Sequence, residues 1–424
     1  MPGAEYSVHL SDSVKAWRMN NSSTVPADFL GTTFARLGQL APDPADIWFG
    51  LVFRFSGPCP SAEEVRERVA ARLSRLPRLT ERLVARATVG WERDPDFDVA
   101  HHVRTLPPHA GVLSAKEILA GTPDPARPPW GLWLAPADDG WQLYYLVHHA
   151  RQDAAAALRT VRTLLGDDDL PATAGKNRPR SWSALLPIAL DLWRSKRAAP
   201  VQLRQYGPER QIATTETDIA VLTDIANRTG ATVNQVHLSA MSAALDRWSP
   251  RPETSRRPVN IPVDTREPGD PADTNRLGFM RADLPCGTTA PEERLRIVRA
   301  TAGRRRTARY RRVWSTITRG DGKAAGWAML RVTDHTRVAM TLSSIRVTAP
   351  LSLLGQQVTG VTALPWLPPA HACFAFFATY GDRATLTVLA PEGAPPPADL
   401  AAHWTEALQE LHGVHAPRAV ASSA

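Results

Sequence analysis

Residues 146–158 read LVHHARQDAAAAL. Upstream lies QLYYLVHH (142–149), rich in aromatic and β-branched residues, which predicts a strand. Downstream, Asp153 is a natural helix N-cap, and Ala154, Leu158, Val161 and Leu165 recur on one face of a helix over 153–165. His148, His149 and Asp153 therefore sit on a short turn between two rigid elements, where chemistry is commonly carried. Neighbouring strand residues point to opposite sides, so the two imidazoles cannot share one task. One is expected to face a cavity while the other anchors the backbone. Histidine titrates near ~6.5 and is the natural general base at neutral pH. Asp153 could cap the helix, orient a ring or pair with an arginine. On these residues alone a purely structural histidine pair stays open.

Working outward, IWFGLVFRF (47–55) reads as a strand and 61–75 as a helix, with Val65, Val69 and Leu73 on one face. Ser61 and Glu64 make the S-x-x-E of a capping box. The stretch 91–104 reads as a turn entering an extended segment. His101 and His102, without an acid four residues on, read as structural. The run 166–181 is polar with Gly and Pro and reads as a linker. A helix is expected over roughly 182–197 and irregular chain over 199–213. The second half opens with helices at 216–228 and 233–248, the latter begun by a Thr232/Gln235 capping box. Strands are expected at 257–264 and 277–284, a single long basic helix at 291–312, and short strands near 335–343, 356–363, 371–379 and 384–390. A last helix is expected at 398–412, with a loose tail from about 414. No internal repeat is seen. This predicts a first lobe over 1–170, a linker or crossover over 171–213 and a second lobe over 214–424. Mixed strands and helices without strict alternation predict α/β or α+β layers.

Composition narrows the function. Of 424 residues, 43% are hydrophobic and 22% charged, which excludes a disordered chain. No stretch approaches the ~18–20 apolar residues of a membrane helix, and MPGAEYSVHL lacks a basic start followed by an apolar core. Neither integral membrane association nor a secretory signal is expected. The three cysteines, Cys59, Cys286 and Cys373, are odd in number and far apart. They predict no disulfide framework, no Cys-based metal site and a reducing cytoplasm. Net charge is +8, with only five lysines among 50 cationic residues. An arginine bias of this kind can reflect base composition or a preference for anionic partners. No nucleic-acid-binding motif is present, so nucleic acid is not expected as a partner. Adjacent histidines lack zinc-binding spacing. G-x-S-x-G, Walker A and dinucleotide fingerprints are absent.

HHARQDA resembles the H-H-x-x-x-D-G motif of the condensation-domain and CoA-dependent acyltransferase superfamily. Four further segments look like those of bacterial wax ester synthase/diacylglycerol acyltransferase proteins, in family order. They are WERDPDFDVAHHVR (91–104), RPPWGLWL (127–134), GATVNQVHLSAMSAALDRW (230–248) and IPVDTREPGDPADTNRLGFM (261–280). The resemblance implies an α/β, two-lobed fold like chloramphenicol acetyltransferase, with mixed sheets packed by helices and a tunnel between lobes. It implies acyl transfer from a CoA or carrier-protein thioester to an alcohol or amine. Acyl-CoA or acyl-phosphopantetheine is then a co-substrate, and no cofactor is tightly bound. His149 is implied as general base, His148 as its structural partner, and Asp153 as partner of Arg266 in a buried ion pair.

The chain departs from the family pattern at four places. Ala154 replaces the motif glycine. Gln235 replaces an aspartate and leaves Asn234 as a substrate-contact candidate. Pro129 replaces a leucine beside Trp130, a core or substrate-contact candidate. LSSIRVTAP (342–350) replaces S-N-V-P-G-P, with Ser343 available to an oxyanion. These departures suggest a divergent substrate, in specialised metabolite biosynthesis. Arg305, Arg309 and Arg312 share a face of the basic helix and are candidates for donor phosphates or a carrier; a solvated face is the alternative. A repurposed or non-catalytic module, for docking, ligand holding, or cyclisation or dehydration in the same tunnel, is the competing expectation.

Overall fold

The computed structural model describes residues 24–41, 43–85, 88–109, 111–119, 124–168, 207–250, 256–267, 269–271, 273–287, 290–319, 338, 340–368 and 371–415. The expected linker core, the helix over 182–197 and the tail beyond 415 lie outside these residues.

In chain order the strands are β1 (Val25–Pro26), β2 (Trp48–Phe55), β3 (Glu81–Ala85), β4 (Val89–Arg93), β5 (Val103–Thr105), β6 (Trp130–Ala137), β7 (Gly140–His148) and β8 (Arg210–Asp218). They continue as β9 (Arg256–Asp264), β10 (Leu277–Pro285), β11 (Met340–Val347), β12 (Ser352–Leu353), β13 (Gln356–Gln357), β14 (Gly360–Leu364), β15 (Cys373–Tyr380) and β16 (Arg383–Pro391). The helices are α1 (Phe29–Leu40), α2 (Ala62–Arg72), α3 (Ala115–Leu119), α4 (Ala154–Leu165), α5 (Ile219–Thr229), α6 (Val233–Trp248), α7 (Pro291–Thr301), α8 (Arg304–Thr318) and α9 (Pro397–His415).

Two mixed sheets carry the fold. The first has the order β14-β2-β7-β6-β5 and the second β10-β9-β11-β15-β16-β8. In the first, β7 lies between β2 and β6, antiparallel to both. Its Leu143–Val147 run is wholly buried, as a central strand covered on both faces requires. In the second, β11 pairs in parallel with β15 and β9. One strand crosses over: β14, late in the chain, pairs antiparallel with β2 in the first sheet. The next strand, β15, lies in the second sheet, so the chain passes back between the sheets after β14.

Local chemistry explains the element ends. Ser61 and Glu64 form a capping box at α2, and Thr232 and Gln235 form another at α6. Gln235 Oε1 accepts from the Thr232 amide at 2.9 Å, and its Nε2 donates to the Ala302 carbonyl at 3.3 Å. The glutamine that departs from the family pattern thus ties the start of α6 to the end of α7. Gly278 is required by packing: a Cβ there would come 2.1 Å from Cγ of Trp314. That tryptophan crosses the strand and donates from Nε1 to the Phe279 carbonyl at 2.7 Å.

The structure corrects several expected boundaries. The basic helix over 291–312 is two helices, because Ala302 and Gly303 leave helical geometry and Gly303 is extended at φ −73°, ψ 153°. Residues 216–218 belong to β8, not to a helix. Asp218 caps α5 by accepting from the Ala220 amide, so the helix begins at Ile219. Residues 210–213 are likewise strand rather than irregular chain, since pairing with β16 continues from Arg210 to Asp218. The strand expected near 356–363 is two pieces, β13 and β14, in different sheets.

Candidate active site

The turn after β7 holds the two histidines in different surroundings. His148 Nδ1 accepts from the Ala150 amide at 3.0 Å, which stitches the turn. Desolvation and the neighbouring His149 lower its pKa to about 3, so it is neutral. His149 faces the other way, into a cleft between the two sheets. Its amide donates to the Ile47 carbonyl at 3.0 Å. Its ring stacks on Phe34 at 3.9 Å, tilts against Phe49 at 4.7 Å and meets the edge of Trp366 at 5.2 Å. This aromatic box desolvates the imidazole and lowers its pKa to about 4. Its own carbonyl, Asp153, Asn275 and Gln152 act in the opposite direction. His149 is therefore neutral at pH 7. Nδ1 is buried without a hydrogen-bond partner among the described residues.

Asp153 is the point where the halves are fastened. Its Oδ1 accepts from the Ala156 amide at 3.0 Å, as N-cap of α4, and from Arg266 Nη2 at 2.6 Å. Its Oδ2 accepts from the Arg276 amide at 2.7 Å. Arg266 also donates to the Thr274 carbonyl at 2.7 Å and to Asp264 at 3.2 Å. Asn275 donates from Nδ2 to the carbonyls of His149 at 2.7 Å and Ala150 at 3.2 Å. The loop before β10 thus grips the histidine turn by a charged and a neutral contact.

The cleft encloses about 680 Å³, counting the open space at its mouth. Phe49, Trp366, Phe374, Phe376 and Phe279 give it an aromatic wall. His149, Ser343, Ser344, Asp264, Arg266 and Arg276 supply its polar groups, and Ala154 also lines it. A site of this kind suits an apolar chain ending in a reactive polar centre. Among the described residues no group of His, Cys, Asp and Glu could hold a metal ion.

The residues singled out from the sequence separate into three groups. His149, Asp153, Arg266 and Ser343 come together at the cleft. Trp130 does not reach it: the side chain is buried in the first half, stacked on His102 at 4.5 Å, with Nε1 donating to the Leu79 carbonyl at 2.7 Å. It is a core residue rather than a substrate contact. Asn234 does not line the cleft either; it is the second residue of α6, whose start opens on a separate basic hollow formed by Thr232, Gln235, Arg296, Arg299 and Arg304. Arg305, Arg309 and Arg312 are exposed on α8, which packs along the edge strand β10, and they make no ion pair among the described residues.

Sequence reasoning passed over Phe34, Trp366 and Asn275. Phe34 had a readable signal, since Asp28 caps a helix in which Leu30, Phe34 and Leu37 recur at helical spacing. Asn275 lies inside a segment already matched to the family, but nothing in the spacing shows which backbone its amide reaches. Trp366 gave no local signal; its place follows from the β14 crossover.

An aromatic-walled cleft between two mixed sheets, with a buried histidine at the join, belongs to the chloramphenicol-acetyltransferase-like, two-lobed fold, and the family match makes the chain an acyltransferase. The chain belongs to the wax ester synthase/diacylglycerol acyltransferase family: the model of that family's catalytic domain matches residues 51–184 and that of its C-terminal domain residues 274–412. It is 23% identical over 395 residues to a protein of Mycobacterium tuberculosis named a probable diacylglycerol O-acyltransferase, covering 80% of this chain and 84% of the relative. The wax ester synthase/diacylglycerol acyltransferase of Marinobacter aquaeolei superposes with a TM-score of 0.64 at 18% identity, covering 92% of this chain and 99% of that one. The first condensation domain of the calcium-dependent antibiotic synthetase, in complex with a substrate analogue, gives 0.65 at 16% identity, covering 94% and 98%. The starter condensation domain of rhizomide synthetase, in complex with C8-CoA, gives 0.62 at 13% identity, covering 96% and 97%.

Proposed function

We propose that this acyltransferase moves an acyl group from a CoA or carrier-protein thioester to a hydroxyl or amine, with His149 as general base. The observation that carries the reading is the ring itself: walled by Phe34, Phe49 and Trp366, lining the cleft between the two sheets, and with Nδ1 buried. In the first step Nε2 takes the proton as the acceptor oxygen or nitrogen attacks the thioester carbonyl. The carbonyl electrons move to oxygen, and Ser343, which lines the cleft, is our candidate donor to that charge. In the second step the tetrahedral centre collapses, the carbon–sulfur bond breaks, and the thiolate recovers the proton from His149. No covalent enzyme intermediate is needed. General-base assistance accounts for roughly 10²–10⁴-fold, and gathering both substrates in one cleft for more.

Relatives named for diacylglycerol favour a hydroxyl acceptor first. Ala154, which lines the cleft, and the altered 342–350 stretch favour a different acceptor from a bulk storage lipid, within specialised metabolism. Arg305, Arg309 and Arg312, exposed and without an ion pair among the described residues, suit the phosphates of CoA or an acidic carrier domain. Among the described residues no helix is long and apolar enough to cross a membrane.

The test is a donor screen read by intact-mass spectrometry, with acyl-CoA and acyl-carrier protein offered against alcohols and amines. His149→Ala is expected to fold, by circular dichroism, and to lose turnover by at least ~10²-fold. Product formation at the wild-type rate by that variant overturns the base assignment. Arg305→Glu/Arg309→Glu/Arg312→Glu is expected to raise the donor KM and leave kcat unchanged; an unaltered KM for every donor removes the docking assignment.

A further inference from the structure

Asn275 is 1% exposed and reaches the histidine turn from the other half of the molecule. Its orientation is fixed by chemistry. Nδ2 donates to two carbonyl oxygens, those of His149 and Ala150, and a flipped amide would set oxygen against both. Oδ1 is thereby turned away from the carbonyls. It is buried and has no hydrogen-bond partner among the described residues. His149 Nδ1 is also buried and, among the same residues, also without one. An acceptor and a potential donor are thus left open on two residues that already touch. Buried polar atoms are seldom left so, and catalytic hydrogen bonds that are long in a free enzyme often close in the substrate complex.

We infer that Asn275 is a positioning residue for His149: its amide nitrogen clamps the His149 carbonyl, and its Oδ1 receives the Nδ1 proton, so that the resting ring presents Nε2 to the acceptor. The inference rests on His149 being the base. An uncharged orienting group fits the setting. A carboxylate in this desolvated pocket would favour the protonated ring and take the base out of its working form. The side-chain contact of Asn275 also opposes the lowering that burial imposes on the His149 pKa. It keeps the base from becoming still weaker without charging it at rest. The nearby Asp153 is committed elsewhere, to Arg266, the Arg276 amide and the helix cap.

The experiment is nitrogen-15 NMR of the labelled His149 ring in the full chain without substrate, joined to pH–rate profiles. The wild type is expected to show the Nδ1–H tautomer. Asn275→Ala is expected to show a mixture of tautomers, a kcat lower by roughly 10-fold or more, and a donor KM within about 2-fold. Asn275→Asp keeps an acceptor and adds charge, so its acidic limb in kcat/KM is expected to move to higher pH. An Nε2–H tautomer in the wild type overturns the inference, as does an Asn275→Ala protein whose tautomer and kcat match the wild type while only Tm falls. If Asn275→Ala does not fold, the wild-type tautomer still decides. His149→Ala separates the two claims. Full activity in that variant overturns the base reading, whereas loss of activity there with an unmoved tautomer in Asn275→Ala overturns only the clamp.

Discussion

Arg266 Nη2 lies 2.6 Å from Asp153 Oδ1, and the two residues come from opposite halves of the molecule. Both side chains are about nine-tenths buried, at 10% and 8% exposure. Breaking such a pair from one side strands a charge, at about 3–5 kcal/mol. Asp153 also caps α4, which is worth a further ~1 kcal/mol. Asp153→Ala is therefore expected to be strongly destabilised, and Asp153→Ala/Arg266→Ala to be less so than the sum of the single changes. Urea unfolding of the four proteins measures the coupling. Additive losses would show that the pair does not fasten the halves.

Acid should loosen the fold through buried histidines. Burial lowers the pKa of His102 and His149 to about 4, and of His148 and His237 to about 3. Their unfolded value is ~6.5. Between these limits the unfolded chain binds more protons, so stability falls as pH drops through the window, by up to ~1.4 kcal/mol per pH unit for each histidine. Above pH ~6.5 the contribution is fully present. Tm should fall steadily from pH 6.5 toward 4. A Tm that holds level over this range would mean that the four rings are not held neutral.

Activity should outlast the ordinary histidine titration. With the ring at about 4, the acidic limb of kcat/KM is expected well below 6.5. Phe34 covers one face of that ring, so Phe34→Ala should raise the limb toward 6.5 by admitting water. The same change removes a core side chain at about 3–5 kcal/mol, and the profile must be taken below its lowered Tm. A limb near 6.5 in the wild type would contradict the desolvated ring.

Ser343 lines the cleft, and its hydroxyl makes no hydrogen bond among the described residues. Ser343→Ala is expected to lower kcat by ~10²–10³-fold if the hydroxyl meets the developing charge, with Tm unchanged. A kcat within twofold of the wild type would assign the oxyanion to another donor.

Gly278→Ala tests the packing of α8. The new methyl would meet Trp314 well inside contact distance, and both partners are rigid. A loss of about 1–3 kcal/mol is expected, with a red shift of tryptophan fluorescence as the indole is displaced. Unchanged stability would show that the helix can retreat from the strand.

Much of this molecule was written locally. Asp153 before an alanine-rich helix, Ser61 with Glu64, and the aromatic QLYYLVHH run each carry their own structural instruction, because caps and strand propensity act within a few residues. The break at Ala302–Gly303 was local as well, but the arginine-rich periodicity on both sides conceals it. The ends of β8 were not local: Arg210–Asp218 become a strand only because β16 stands beside them.

The sequence alone determined the two histidines, their turn and the family to which they belong, since motif spacing survives without contacts. Only the tertiary structure decided which ring faces the cleft, that Trp130 belongs to the core, and that Phe34, Trp366 and Asn275 surround His149. Those residues lie far from the turn in the chain, and the crossover of β14 helps gather them. The working state of the imidazole follows from that gathering, because burial and carbonyl dipoles act through space and leave no mark on the neighbouring letters.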